Sequence, residues 1–293
     1  MGSEMLERIM VPLDGSEPSE AVLPFARELS GGSTVDVVGV NRPQGGLERL
    51  LGAYLEKIAA EFQAEGVKAR AVVLEGSPAE KLIDYAESND IGLIAMATHG
   101  RTGGSRWALG SVADRVLRGA SVPLLLINPA RASGRRARKK LFRNVLLPLD
   151  GSQLSEQALP YGRELAKRGG TRVWLLRVSQ PQHLIIDAGE YMMTNVEAAV
   201  QGLEQTALAY LAQVEAPLKA QGIKLTSQAL TGTPAETILE YAKTKKIDLI
   251  LMSTHGRGGL SRWVFGSVAA RVLRAAEVPV LLIRSSGKHH SPH

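Results

Sequence analysis

The string MATHGRTGGSRWALGSVADRVLR (Met96–Arg118) returns as MSTHGRGGLSRWVFGSVAARVLR (Met252–Arg274). Two further blocks repeat with it. ERIMVPLDGSEPSEAVLPFAREL (Glu7–Leu29) answers RNVLLPLDGSQLSEQALPYGREL (Arg143–Leu165), and GSPAEKLIDYAESNDIGLIAM (Gly76–Met96) answers GTPAETILEYAKTKKIDLILM (Gly232–Met252). A unit duplicated at this scale must bury its own core, so the repeat constrains the fold before any residue does. A chain of 293 residues accommodates two such cores. The repeats place one domain over residues 1–130, a linker over 131–141, a second domain over 142–285 and a tail over 286–293. The second copy is longer, with an insertion between about Gln180 and Gly222 that contains a long helix from about Asn195 to Lys219.

Each copy alternates β-rich runs with helical spacing. In the first, strands are read at Arg8–Leu13, Thr34–Val40, Lys68–Leu74, Gly92–Met96 and Pro123–Ile127. Apolar residues three and four apart mark the helices between them. Ser77-Pro78-Ala79-Glu80 and Thr233-Pro234-Ala235-Glu236 read as helix starts with a capping box. Runs such as IGLIAMA and VPLLLI are apolar on both faces, as central parallel strands are. The expected fold is α/β: two tandem, doubly wound parallel-sheet domains of Rossmann-like type.

Composition narrows the function classes. There is no cysteine, which excludes disulfides, thiolate metal sites and a cysteine nucleophile. No apolar run is long enough to span a bilayer, and no signal peptide is read at the N-terminus, so the expected compartment is the cytoplasm. The net charge of +6 is concentrated in ARASGRRARKK (Ala130–Lys140), read as a solvated connector rather than a nucleic-acid arm. No carboxylate or histidine cluster has metal-ligand spacing. HHSPH (His289–His293) is read as a tail.

In open α/β sheets, ligands sit beyond the carboxyl ends of the strands where the strand order reverses. Two segments of each copy reach that edge. One is the PLDGS turn, with Asp14 or Asp150. The other is the loop from Thr98 to Gly110, or Thr254 to Gly266, feeding a helix near Ser111 or Ser267. Such a helix start offers free N–H groups to an anion. Gly110 and Gly266 allow close approach, Gly100 and Gly256 relieve the far side of the loop, and Arg101, Arg106, Arg257 and Arg262 add charge. An aspartate at the end of the first strand could accept from ribose hydroxyls or an adenine amine. Each element also has a local reading. Ser111 and Ser267 serve as N-caps, and Asp14-Gly15-Ser16 and Asp150-Gly151-Ser152 serve as capping turns. Trp107 and Trp263 read as loop packing.

At these residues the chain resembles the universal stress protein family, as a tandem two-domain member. The family's nucleotide-binding members carry Gly, two residues, Gly, nine residues, then Gly-Ser/Thr after the fourth strand. Gly100 and Gly256 match the second glycine, and Gly110-Ser111 and Gly266-Ser267 follow at the required spacing. The first glycine is Ala97 in one copy and Ser253 in the other. A side chain forced into tight space there would weaken binding, by about 1–3 kcal/mol; at ordinary backbone angles it costs nothing. The resemblance implies ATP as ligand, with Mg²⁺ arriving on its phosphates. It implies Pro12, Leu13, Asp14 and Val40 around the adenosine, and His99, Gly100, Gly110, Ser111, Val112 and Ala113 around the phosphates. In the second copy the same positions are Pro148, Leu149, Asp150 and Val178, then His255, Gly256, Gly266, Ser267, Val268 and Ala269.

The family pairs through its last strand. SVPLLLINP and EVPVLLIRS are apolar edges suited to an internal pseudo-dimer or to a homodimer. The leading expectation is an ATP-binding stress-response module without fast catalysis. A scaffold of the same fold that binds no nucleotide, and a slow ATPase, are the alternatives. No positioned catalytic base is legible.

Overall fold

The computed structural model describes residues 6–41, 48–99, 109–132, 140–180, 196–254 and 266–284. The chain divides into two compact units, Met1–Leu141 with Glu277–His293, and Phe142–Ala276.

In the first unit, β1 (Arg8–Pro12) is followed by α1 (Glu17–Glu20) and α2 (Leu23–Leu29), β2 (Thr34–Asn41), α3 (Glu48–Ala64) and β3 (Lys68–Glu75). Then come α4 (Pro78–Ser88), β4 (Leu93–Ala97), α5 (Ser111–Gly119), β5 (Leu124–Ile127) and the short α6 (Pro129–Ala132). The second unit repeats the order with β6 (Asn144–Leu149), α7 (Gln153–Glu156), α8 (Leu159–Lys167), β7 (Arg172–Ser179), α9 (Val196–Ala220), β8 (Leu225–Thr231), α10 (Pro234–Thr244), β9 (Leu249–Ser253) and α11 (Ser267–Ala275). The last strand, β10 (Val280–Ile283), lies with the first unit. The five strands read from the first repeat are found within two residues of their expected limits. The long insertion helix is α9.

β1 pairs in parallel with β2 on one side and β4 on the other, with β3 beyond β2 and β5 beyond β4. β6 stands likewise between β7 and β9, with β8 outside β7. The chain therefore steps outward one way from β1 or β6 and then restarts on the other side, which puts the switch point beside that strand. β4, β5, β9 and β10 are buried at every residue, as runs that are apolar throughout, save for Ser253 at the end of β9, require. β10 runs antiparallel to β5, with Val280, Leu281 and Leu282 opposite Leu126, Leu125 and Leu124. The Arg284 guanidinium donates to the Leu117 carbonyl in the last turn of α5, where a cation is favoured.

Pro78 and Pro234 open α4 and α10 as expected, after Ser77 and Thr233 at the N-cap. Neither cap side chain makes a hydrogen bond to its helix, so the capping boxes do not form. The cap carbonyls carry the start instead, accepting from the Lys81 and Thr237 N–H groups.

One buried position is solved differently in the two units. Asp36 in β2 is fully buried and is met by Arg8, Arg70 and Tyr85 at 2.8–2.9 Å. The strand register puts Trp174 of β7 in its place, with Asn144 where Arg8 stands. Trp174 donates its indole N–H to the Asn144 side chain (3.1 Å) and meets the Tyr241 ring edge-on at 6.1 Å.

Candidate functional site

The Asp-Gly-Ser turn after the first strand has one geometry in both units. Gly15 and Gly151 sit at φ 76° and 79°, in the left-handed region where glycine carries no Cβ penalty. Asp14 Oδ1 accepts from the Ser16 N–H (3.0 Å) and hydroxyl (2.5 Å), and Asp150 Oδ1 accepts from Ser152 at 2.9 and 2.6 Å. Ser16 and Ser152 in turn cap α1 and α7, accepting from Ser19 and Ser155. The local reading of this turn is thus correct, and it holds each aspartate at a set place on the sheet edge.

Strand register shows what stands beside it. Met10 lies opposite Ile94 and Pro12 opposite Val38. β1 and β4 are paired only as far as Met10 and Ile94, so the two chains part before Asp14 and Thr98, while Leu13 still donates its N–H to the Val38 carbonyl (2.8 Å) on the other side. In the second unit β6 and β9 are likewise paired only as far as Leu146 and Ile250, while β6 stays paired with β7 to Leu149 and Arg177, the residues just before Asp150 and Val178.

The helix that follows the fourth strand begins at Ser111 and Ser267 as expected, but its N-cap is the residue before. Gly110 and Gly266 are the N-caps, and Ser111 and Ser267 are the first helical residues, with exposed side chains. Each glycine donates its N–H to the carbonyl of Thr98 or Thr254 (2.8 and 2.9 Å), while its own carbonyl accepts from Asp114 or Ala270 at 2.9 Å. This bonding draws the glycine into the cap and displaces the serine. φ is −60° and −59°, so backbone freedom is not the reason for glycine here. Proximity is the reason: a Cβ on Gly110 would lie 3.1 Å from the Thr98 carbonyl oxygen. The N–H groups of Ser111, Val112 and Ala113, and of Ser267, Val268 and Ala269, have no acceptor among the described residues. They are the free donors of a helix start, carrying the positive end of its dipole.

Ala97 and Ser253 end β4 and β9, are buried, and have no left-handed backbone. A Cβ at these positions is therefore housed without strain. His99 places Nδ1 2.9 Å from the Thr98 hydroxyl, while its Nε2 is buried without a partner among the described residues. Leu13, Leu149, Ala113 and Ala269 are core residues by side chain, as is Pro12. Pro148, Val40 and Val178 are half-buried. Gly100, His255 and Gly256 lie outside the described residues, as do Arg101, Arg106, Trp107, Arg257, Arg262, Trp263, most of the basic linker, residues 181–195 of the insertion and the tail. Among the described residues, no group of acids and histidines could hold a metal ion.

Two features of this edge escape a reading of the motifs. Tyr54 and Tyr210 donate to Glu20 and Glu156 at 2.9 Å in the two units, a repeat hidden because the second copy's insertion breaks the alignment. Burial, followed by the hydrogen bond to the carboxylate, pushes both phenols well above their ordinary value. Arg177 takes the register position of Gly39, stacks over Tyr210 at 5.1 Å and lies against Gly151. The two edges are therefore not identical.

The profile of the universal stress protein family matches residues 5–128 and 141–284. The chain is 31% identical over 154 residues to a universal stress protein of Methanocaldococcus jannaschii, covering 51% of this chain and 86% of that one. It is 28% identical over 233 residues to one of Mycolicibacterium smegmatis, covering 78% and 74%. The crystal structure of a universal stress protein from Archaeoglobus fulgidus superposes with a TM-score of 0.70 at 23% identity, over 96% of this chain and 99% of that one, which shows a shared fold. Twice along its length, over nearly all of both repeats, the chain belongs to the universal stress protein family.

Proposed function

We propose that each repeat binds an adenine nucleotide at the sheet edge and that the protein acts as a nucleotide-dependent stress-response module. The observation that carries this reading is the coincidence, in both units, of a fixed aspartate with three N–H groups at a helix start that have no acceptor among the described residues. The helix start suits the phosphates of ATP, with Mg²⁺ held on their oxygens. Asp14 with Val40, and Asp150 with Val178, suit the adenosine. The unstrained backbone at Ala97 and Ser253 supports retained binding despite the missing first glycine.

The two family matches support domains over 1–130 and 142–285 joined by residues 131–141. The last strands of the two repeats, β5 and β10, pair antiparallel inside the first unit, which supports an intrachain pairing in place of a homodimer. No helix among the described residues is long and apolar enough to cross a membrane. The cytoplasm is the compartment we propose.

ATP with Mg²⁺ at 100 times its dissociation constant is expected to add about 2.7 kcal/mol to the stability of each occupied unit, seen as a rise in melting temperature that GTP does not produce. Asp14→Asn with Asp150→Asn keeps the oxygen that holds the turn and removes the charge, and should abolish the rise. An unchanged melting curve with ATP would leave the scaffold reading in its place. Steady phosphate release that is lost in a Ser111→Ala, Ser267→Ala variant would turn the assignment toward an enzyme.

A further inference from the structure

Both repeats carry an arginine at the same place on their second helix, Arg27 in α2 and Arg163 in α8. Their surroundings differ. Arg27 meets Glu61 at 2.7 Å and Glu65 at 2.9 Å, and its guanidinium covers the Phe62 ring at 5.1 Å. The counterparts on α9 are identified by the helix ends. Phe62 and Leu218 each accept, through their carbonyls, the N–H of Val67 or Ile223, just after left-handed Gly66 or Gly222. By that alignment Glu61 is replaced by Pro217, Glu65 by Gln221 and Phe62 by Leu218.

The second unit has thus lost both carboxylates and kept the cation. Arg163 has no carboxylate partner among the described residues. The acids nearest in sequence are already engaged, Glu156 by the Tyr210 hydroxyl and Glu164 by Arg168. Where the first unit has its ion pairs, the second has an open groove of about 390 Å³ between α8 and α9. Its lining includes Arg163, Leu159, Pro217, Leu218 and Gln221, together with Glu156, whose carboxylate accepts from the Tyr210 hydroxyl at 2.9 Å. Pro217 has no N–H, so the Gln213 carbonyl is left without its helical donor, and Gln221 turns its amide onto the Pro217 carbonyl at 3.1 Å.

We propose that this groove binds a small amphipathic carboxylate. Its carboxylate takes the place beside Arg163 that Glu61 and Glu65 hold beside Arg27, and its aliphatic body lies along Leu159, Pro217 and Leu218. Charge complementarity identifies the occupant: a guanidinium favours a carboxylate in two-pronged geometry, and the first unit fills the same place with carboxylates of its own. The volume lies in the range of small-ligand sites, about 300–1,000 Å³. The groove adjoins the Tyr210–Glu156 pair of the candidate nucleotide edge, since both residues also line it, but the argument for it does not rest on nucleotide binding.

The test titrates the full-length protein by calorimetry with octanoate, and with 1-octanol as the uncharged match. Octanoate is expected to bind about tenfold to a hundredfold more tightly than octanol, the range for a hydrogen bond to a charged group. Arg163→Gln should remove that preference. A Pro217→Glu, Gln221→Glu variant returns the first unit's carboxylates to the second. It should stay folded, since it also restores a helical N–H, and it should no longer bind octanoate. Equal binding of the two probes, no binding of either, or octanoate binding unaffected by both variants would each overturn the proposal.

Discussion

A Leu281→Ala, Leu282→Ala double variant is expected to lose about 4–8 kcal/mol from the first unit, taking the range for two fully buried leucines truncated in a packed core. Both residues are 0% exposed and sit mid-strand in β10, opposite Leu125 and Leu124 of β5. Consecutive strand residues point to opposite faces, so the two truncations open separate cavities and their effects are close to additive. Against a total stability of about 5–15 kcal/mol for a domain, this leaves the first unit near its unfolding point at room temperature. Calorimetry should show its melting transition moved sharply down, and the amides of β5 should lose protection from hydrogen exchange. Leu50→Ala, at a side chain that is 68% exposed, serves as the control and should change little. A double variant that melts within a few degrees of the parent would mean that β10 contributes nothing to the unit it lies in.

The second large effect is expected at Asp36. Asp36→Asn keeps the side chain's shape but removes the charge that Arg8, Arg70 and Tyr85 address, and places an amide donor against guanidinium donors. Breaking a buried ion cluster costs about 3–5 kcal/mol when the remaining charge has no access to water. Arg8 and Arg70 are 26% and 51% exposed, so solvent recovers part of this, and a loss of about 2–3 kcal/mol is expected. The pH dependence has a definite sign. Burial alone would raise the Asp36 pKa, but the hydrogen bonds from Arg70 and Tyr85 and the charge of Arg8 outweigh it and hold the group below its ordinary value. A carboxylate with a depressed folded pKa adds stability that is fully present above the unfolded value near 3.9 and is lost as pH falls through the folded one. The first unit should therefore weaken in acid below about pH 4, and the Asn variant should be weaker at neutral pH with a flatter acid limb. Trp174, neutral and packed at the matching position, contributes no such slope to the second unit. Melting curves taken from pH 3 to pH 7 that showed the same acid slope for parent and variant would refute this account.

Much of the candidate site's local geometry was legible because it is made of short-range features. PLDGS predicts a glycine-relieved turn within five residues, and the turn is present in both units with the aspartate holding the serine. The element order followed from periodicity for the same reason, since apolar spacing reports on one strand or one helix at a time. The cap was misplaced by one residue. Ser111 is the better cap by type, yet the Gly110 N–H reaches back across the loop to Thr98, a contact no local preference encodes. The buried aspartate was missed likewise, because its partners stand 28 to 49 residues away along the chain.

By itself, then, the sequence determined the duplication, the alternation of strand and helix, the turn chemistry and the glycine spacing. All of these act over a few residues or copy a unit whole. Only the tertiary structure decided that β1 stands between β2 and β4, that β10 lies in the first unit, and that Arg27 is paired with carboxylates while Arg163, among the described residues, is not. FAREL and YGREL carry the same arginine. What differs is the helix that packs against it, and which helix that is depends on strand order, a property of chain segments that meet only once the sheet has formed.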